Sequence, residues 1–137
     1  MSGSQENHMR EAIRLSREHM QKGAGGPFGA IIVKNGQIIG RGWNKVTSSN
    51  DPTAHAEVEA IRDACRQLAT HELIGAEIYT SCEPCPMCLA AIYWARINKI
   101  FYANTRTDAA AISFDDDFLY QEIAKEIKKK KIPMQPL

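Results

Sequence analysis

The chain has 137 residues, of which 44% are hydrophobic and 24% charged, and its formal net charge is +1. This composition argues against a disordered, fibrous or membrane protein, and the length predicts a single domain over residues 1–137. A chain so close to neutral lacks the basic surface that binds the phosphates of a nucleic acid, so we expect no nucleic-acid partner. The lysine-rich run at 127–131 is interpreted as a solvated helix end.

The N-terminus and the cysteines indicate the compartment. The first twelve residues, MSGSQENHMREA, lack the basic start and the apolar run of a signal peptide, and no segment is apolar for long enough to span a bilayer. We therefore expect a cytoplasmic protein with no membrane partner. In a reducing compartment, clustered cysteines are more often metal ligands or catalytic groups than disulfides.

The first forty residues predict a helix and a hairpin. Apolar residues recur at helical spacing from Met9 to Met20, ahead of a glycine-rich segment. The apolar runs 28–34 and 37–43 are separated by Asn35-Gly36, the dipeptide most typical of a two-residue hairpin turn. The two runs are therefore predicted to pair as antiparallel strands.

The middle and end of the chain alternate helices with strands. A polar loop at 44–50 leads to Asp51-Pro52, which predicts the cap and the first turn of a helix reaching about Leu68. The segments predicted to follow are a strand at 77–81, a helix from Pro86 to about Arg96, a strand at 99–103 and a helix at 114–125. The order is therefore αββαβαβα.

This order predicts the fold class. A strand, helix and strand in succession imply a right-handed crossover and a parallel pair of strands, whereas the hairpin pair is antiparallel. We predict an α/β fold of three layers, in which a mixed central sheet is flanked by helices.

The segment TSCEPCPMCL spaces three cysteines at intervals of three, and two of them indicate a metal site. Cys85 and Cys88 fall at i and i+3 at the start of a predicted helix, which places both sulfurs on one side. The N–H groups and the dipole at that end lower the pKa of a thiol, and the thiolate is the form that binds zinc. His55, within the segment TAHAE, is the candidate third ligand.

Glu57 follows His55 by only two residues, a spacing that turns the two side chains away from each other inside a helix. The two can share a site only where the motif straddles a helix start, which Asp51-Pro52 predicts. Three protein ligands with one open position are typical of a catalytic zinc site. Glu57 is therefore the candidate acid–base residue that carries a proton to the substrate and on to the leaving amine.

Two other interpretations of the cysteines are possible. Cys82 would join Cys85, Cys88 and His55 in a closed Cys₃His site, which would make the protein a structural module. Alternatively, Cys82 and Cys85 would form a redox pair. Neither interpretation gives Glu57 a role.

A histidine, any residue and a glutamate, followed later by Pro-Cys-x-x-Cys, is the signature of zinc-dependent nucleobase deaminases. The chain resembles the cytidine deaminase superfamily, and within it the bacterial guanine deaminases, over residues 25–120. The segments that carry the resemblance are GGPFGAIIVKNG, NKVTSSNDPTAHAEVEAIR, YTSCEPCPMCLAAIYWAR and FDDDFLY. The resemblance implies a cytidine-deaminase-like fold, one Zn²⁺ per subunit, a homodimer, and hydrolytic deamination of guanine to xanthine and ammonia.

The resemblance also implies how a purine is held. Asn44 would hydrogen-bond the base, and Asp116 would hold it from another edge, with Asp115 and Asp117 as competing candidates. Guanine offers N1–H and its amine as donors, and an ionised carboxylate only accepts. An acidic residue in the pocket would therefore favour guanine over adenine or cytosine, whose matching ring nitrogens are acceptors.

Three further residues are candidate substrate contacts by resemblance. Phe28 and Trp94 would wall the pocket or stack on the ring, or else pack in the core or at a dimer interface. Ala30 would let the backbone run close beneath the substrate.

The zinc and glutamate motif specifies the type of reaction and leaves the base open. The alternative substrates are therefore a tRNA adenosine, cytosine, guanosine or an aminotriazine. The segments NDPTAHAEV, AIYWAR and FDDDFLY favour guanine because they resemble guanine deaminases more than tRNA adenosine deaminases.

Overall fold

A mixed sheet of four strands forms the centre of the protein. A computed structural model describes residues 3–21, 28–105 and 117–137 of the chain. The strands are β1 (Gly29–Lys34), β2 (Gln37–Trp43), β3 (Ala76–Cys82) and β4 (Lys99–Asn104). Their order in the sheet is β2-β1-β3-β4. The hairpin strands β1 and β2 are antiparallel and β3 and β4 are parallel, as the sequence predicts, and β1 is also antiparallel to β3.

Five helices accompany the sheet in the part of the chain described. They are α1 (Gly3–Gln21), α2 (Val46–Ser49), α3 (Ala56–Leu68), α4 (Pro86–Trp94) and α5 (Asp117–Ala124), followed by a 3₁₀ turn at Ile127–Lys129. The short α2 lies in a segment that was predicted to be a plain loop. No helix in the described ranges combines the length and the apolarity that crossing a membrane requires.

Side chains of β1 alternate between two hydrophobic clusters. Ala30 and Ile32 pack with α3 and α4, whereas Ile31 and Val33 pack with α1. Successive side chains of a strand point to opposite faces of its sheet. Helices therefore cover both faces, which confirms the predicted three-layer architecture.

The hairpin between β1 and β2 turns at Asn35 and Gly36. Both residues have positive φ, 51° at Asn35 and 77° at Gly36, and Lys34 pairs with Gln37. Two positive φ values are the mark of the type I′ turn, whose twist matches that of the flanking strands. The dipeptide therefore specifies this connection locally, as predicted.

The prediction that Asp51-Pro52 starts the second long helix is wrong. α3 begins at Ala56, with His55 as its N-cap residue. The Asp51 carboxylate instead accepts hydrogen bonds from the backbone N–H (2.8 Å) and the hydroxyl (2.6 Å) of Thr53, which closes a separate turn. Aspartate favours such turns as readily as helix caps, so the same residues fit both structures.

Two glycines of β2 let α3 lie unusually close to the sheet. A methyl group added at Gly40 would lie within 3.0 Å of the Ala60 carbonyl oxygen and of Ala64. One added at Gly42 would overlap the Ala56 carbonyl oxygen and the Ala60 backbone nitrogen. The contact at Gly42 lies at the first turn of α3, so this glycine positions the helix start.

We expect Gly42→Ala to lower the free energy of unfolding by about 1–3 kcal/mol, the usual cost of overpacking, and also to weaken zinc binding. The reason is that the displaced Ala56 lies between His55 and Glu57. Gly40→Ala is the matched variant, because it strains α3 one turn further on. Urea unfolding and zinc competition titrations measure the two effects. Equal zinc affinity in the two variants would contradict the expectation.

Candidate functional site

His55 and Glu57 straddle the start of α3. His55 is the N-cap residue, with an extended backbone (φ −71°, ψ 155°), and its carbonyl accepts the Glu59 N–H at 2.9 Å. Glu57 lies in the first helical turn. The extended residue breaks the helical spacing, so a histidine and a glutamate two positions apart can serve one site. This is the arrangement predicted, although it begins four residues later than Asp51-Pro52 indicated.

Cys85 and Cys88 occupy the equivalent place at the start of α4. Cys85 is the N-cap residue, Pro86 follows at the first helical position, and the Cys85 sulfur accepts the Cys88 N–H at 3.5 Å. Proline suits the first position because its missing N–H would have no helical partner there. Both cysteines are buried. The helix start therefore presents two sulfurs on one side.

The two helix starts meet at His55. Its Nδ1 atom lies 3.6 Å from the Cys85 sulfur and 3.6 Å from the Cys88 sulfur. All three potential ligand atoms lie within 4.8 Å of one another. In a tetrahedral zinc site with ordinary bond lengths, a nitrogen and a sulfur ligand are about 3.6 Å apart. The donor set and its spacing therefore fit one Zn²⁺ per chain.

The two thiols share a hydrogen bond that separates their pKa values. Hydrogen bonding from Cys88 is the main cause that lowers the pKa of Cys85 to about 4. The same interaction, together with burial, raises the pKa of Cys88. Cys85 is therefore the thiolate of the pair. Because zinc takes both sulfurs as thiolates, metal binding would release a proton from Cys88.

Glu57 is a buried carboxylate beside these ligands, with 8% of its surface exposed. Burial raises its pKa to about 7, and the negative charge of Cys85 acts in the same direction. The positive charge of His55 and a hydrogen bond with Cys88 lower the pKa to a smaller extent. A carboxyl group with a pKa near 7 can both accept and donate a proton at neutral pH.

Cys82 is not a member of the ligand group. It ends β3, is half-buried, and its sulfur lies 3.9 Å from the Thr105 carbonyl oxygen. Among the described residues, the group of potential ligands consists of His55, Cys85 and Cys88. This arrangement does not support the closed Cys₃His interpretation, and three ligands leave a tetrahedral metal one position for water.

A backbone hydrogen bond closes the loop that runs from Asn44 to the segment of His55. The Lys45 N–H donates to the Ala54 carbonyl at 2.9 Å, which brings together the end of β2 and the residue before His55. The Asn44 N–H donates to the Phe28 carbonyl at 3.2 Å. The predicted substrate residues Asn44 and Phe28 are therefore joined through their backbones.

The remaining predicted contacts lie in different surroundings. Ala30 is fully buried in the core, so its side chain packs inside the protein. Trp94 ends α4 with 77% of its surface exposed. The Asp117 carboxylate accepts a hydrogen bond from Gln121 at 2.6 Å on the exposed side of α5. Asp115 and Asp116 lie outside the described residues.

Comparison with known proteins identifies the family. Residues 2–104 match the family described as the cytidine and deoxycytidylate deaminase zinc-binding region. The chain belongs to this deaminase family. The starts of α3 and α4, with the group of His55, Cys85 and Cys88, lie within this zinc-binding region.

Individual deaminases resemble the chain to different extents. It is 56% identical to the guanine deaminase of Bacillus subtilis over 128 residues, which cover 93% of this chain and 82% of that protein. The crystal structure of a B. subtilis guanine deaminase superimposes with a TM-score of 0.95 at 53% identity and covers 100% of this chain and 86% of the other. A tRNA-specific adenosine deaminase of Aquifex aeolicus is 45% identical over 98 residues, which cover 72% of this chain and 64% of that protein.

Two long-range hydrogen bonds of polar side chains were not predicted from the sequence. The Tyr120 hydroxyl donates to the Pro84 carbonyl at 2.8 Å, and the buried Ser81 hydroxyl accepts the Gly29 N–H at 3.0 Å. Both lie in segments that carry the family resemblance, YTSCEPC and FDDDFLY. The hydrogen bonds join positions 36 and 52 residues apart, and no local pattern predicts such pairs.

We expect Cys82→Ser to retain one zinc per chain, because its sulfur lies outside the ligand group. Cys85→Ser should lose most of the bound zinc, since a hydroxyl replaces a thiolate ligand. Metal analysis of the purified variants, together with the charge-transfer bands of cobalt-substituted protein, measures the number of sulfur ligands. Loss of a sulfur band in Cys82→Ser would contradict a three-ligand site.

Proposed function

We propose that this chain is a guanine deaminase, acting as a single zinc-dependent domain over residues 1–137. It hydrolyses guanine to xanthine and ammonia. The observation that carries the proposal is the group of three ligands beside the buried Glu57. The 56% identity to a guanine deaminase supports guanine as the base.

His55, Cys85 and Cys88 are the residues that would hold the metal. Zinc with three protein ligands supplies a Lewis acid that brings the pKa of a bound water to about 7. The protein keeps the ligands in place from two helix starts, and burial of both sulfurs excludes solvent from one side of the group.

Glu57 is the residue that moves protons in this proposal. Its burial and its pKa of about 7 suit a carboxylate that accepts a proton from water and passes it on. The proton goes first to the ring nitrogen next to C2 of guanine. A second transfer goes to the amine, which leaves as ammonia while the water oxygen remains on C2.

Asn44 binds guanine through its amide N–H groups. The side-chain Oδ1 atom accepts the Val46 N–H at 2.9 Å, which fixes the amide orientation at the start of α2. The two Nδ2 hydrogens therefore point away from this turn. They suit the acceptors of a purine ring, such as O6, N7 and N3 of guanine.

Acidic residues before α5 accept from the donor edge of guanine. Asp116 is our choice on the resemblance of FDDDFLY. The Asp117 carboxylate accepts a hydrogen bond from Gln121 on the exposed side of the helix, so Asp117 is a weaker candidate for binding guanine. Phe28 is half-buried beside Asn44 and contributes to the wall of the pocket, with the backbone at Ala30 beneath it.

The active form is a homodimer, and Trp94 belongs to its interface instead of the pocket. Trp94 and Tyr93 expose 77% and 70% of their surfaces at the end of α4, and adjacent exposed aromatic residues are typical of contact surfaces. Light scattering should give twice the mass of the 15.3 kDa chain. The four cysteines form no disulfide, which suits the reducing cytoplasm, and no nucleic-acid partner is needed.

Ammonia release from a panel of substrates tests the proposal. The panel contains guanine, guanosine, cytosine, an aminotriazine and a tRNA bearing a target adenosine. We expect guanine to be the best substrate, with the product identified as xanthine by its absorbance. Faster turnover of cytosine or of the tRNA adenosine would contradict the choice of guanine as the substrate. No turnover of any substrate by zinc-loaded protein would contradict the proposal that the chain is an enzyme.

We expect Glu57→Gln to keep its zinc and to lower kcat by about 10²- to 10⁴-fold, the usual contribution of a general acid–base group. Glutamine preserves the size of the side chain and cannot exchange a proton. Steady-state kinetics and metal analysis on the same sample separate the two effects. A kcat close to that of the wild type would remove Glu57 from the mechanism.

Asn44→Asp tests the donor role of Asn44. Aspartate retains the oxygen that accepts the Val46 N–H, and it replaces the amide donors with an acceptor. We expect kcat/KM for guanine to fall by about 10- to 100-fold, since a buried acceptor of the base would face a carboxylate. Asn44→Ser, which keeps a donor and the turn, should lose less. An equal loss in the two variants would contradict the assignment.

A further inference from the structure

We propose that Tyr120 is a positioning residue, an inference that rests on the proposed function. It fixes α5 on Pro84, the residue before the candidate ligand Cys85, and thereby supports guanine binding. Its hydroxyl donates to the Pro84 carbonyl oxygen at 2.8 Å, across 36 residues of sequence. Tyr120 is half-buried, whereas the residues on either side of it are exposed. The side chain therefore faces the body of the protein.

The Pro84 carbonyl is well suited to receive an outside donor. Pro84 immediately precedes Cys85, the N-cap residue of α4 and a candidate zinc ligand. The helical hydrogen bonds of α4 begin one residue later, where the Cys85 carbonyl accepts the Leu89 N–H at 2.8 Å. The hydrogen bond from Tyr120 thus joins α5 to the residue before Cys85 without displacing a hydrogen bond of α4.

Three further hydrogen bonds join α5 to the tail that follows it. The Lys130 ammonium donates to the carbonyls of Glu122 at 2.6 Å and of Ile123 at 3.0 Å, at the end of α5. The Lys131 N–H donates to the Glu122 carboxylate at 2.9 Å. Positive groups are favourable at a helix C-terminus. All of these partners lie between 117 and 131, so they hold the segment to itself.

Hydrophobic burial anchors α5 only weakly within one protomer. Phe118, Leu119 and Ile123 expose 51%, 43% and 66% of their surfaces. Side chains this exposed gain little from leaving water. Within the described residues, the hydrogen bond from the half-buried Tyr120 to a backbone carbonyl therefore has a large share in holding the helix.

The link matters for substrate because α5 begins at Asp117, the last residue of the acidic segment FDDD. Tyr120 lies three residues after Asp117, less than one helical turn away. Asp116, which is proposed to accept from guanine, is the residue before α5 in the sequence, so a hydrogen bond that holds α5 bears on this proposed contact. Loosening α5 should therefore weaken binding of the base while leaving the metal ligands and Glu57 in place.

Tyr120→Phe removes the hydroxyl and keeps the ring. Tyr102→Phe is the matched control, because Tyr102 lies on β4 with 49% of its surface exposed. Hydrogen exchange of the peptide covering α5, measured by mass spectrometry, should be faster in Tyr120→Phe and unchanged in the control. For zinc-loaded protein, we expect KM for guanine to rise by about 2- to 12-fold, the range set by one net hydrogen bond. The value of kcat should stay within about two-fold and the zinc content at one per chain.

Two results would overturn the proposal. One is unchanged exchange of α5 in Tyr120→Phe, which would show that the hydroxyl does not hold the helix. The other is faster exchange of α5 with the wild-type KM, which would make the role of Tyr120 purely structural. A wild-type protein that leaves guanine intact would instead remove the proposed function. The exchange comparison would still decide whether Tyr120 anchors α5.

Discussion

The site depends on the meeting of two helix starts at one place beside the sheet. His55 immediately precedes α3, and Cys85 immediately precedes α4. Each is an N-cap residue with an extended backbone, and its side chain projects ahead of its helix. Their convergence is set by packing: Gly42 allows α3 to contact β2 closely, and α4 follows β3. A shift of either helix by a fraction of an ångström would change the 3.6 Å separations on which a tetrahedral site depends.

The same packing that brings the candidate ligands together also buries Glu57, the proposed acid–base group. Glu57 is carried into the interior because it lies in the first turn of α3, and removal from water raises its pKa to about 7. An exposed carboxyl group, with a pKa near 4, would be a poor proton donor at neutral pH. The energy spent on burying a carboxyl group is therefore part of the chemistry, and a metal cation beside it would offset part of the cost.

Features with a local physical cause could be predicted from the sequence, and features with a long-range cause could not. Asn35-Gly36 specifies its turn through the positive φ of both residues, and Cys85 and Cys88 are neighbours by helical spacing alone. The start of α3 was predicted too early because the Asp51 carboxylate can accept hydrogen bonds in a nearby turn as well as at a helix N-cap. The sequence left open whether Trp94 lines a pocket, packs in the core or lies at a dimer interface, since the apolar segment LAAIYWA does not show which side is covered. Tyr120 was missed because its partner is distant in sequence.

In the proposed function, base specificity and chemistry lie on different segments that hydrogen bonds tie together. One hydrogen bond joins Lys45, which follows Asn44, to Ala54, which precedes His55, and another joins Tyr120 of α5 to Pro84, which precedes Cys85. Deaminases of different bases share the zinc and glutamate motif, so the choice of base must come from such attached segments. In the proposed function, the amide donors of Asn44 and the acidic acceptors before α5 complement a base that offers both kinds of group, as guanine does. Adenine would present an acceptor where guanine presents a donor, and a pocket that leaves polar groups unpaired rejects such a base strongly. A family can therefore change its substrate by altering these two segments while the metal centre and the sheet stay the same.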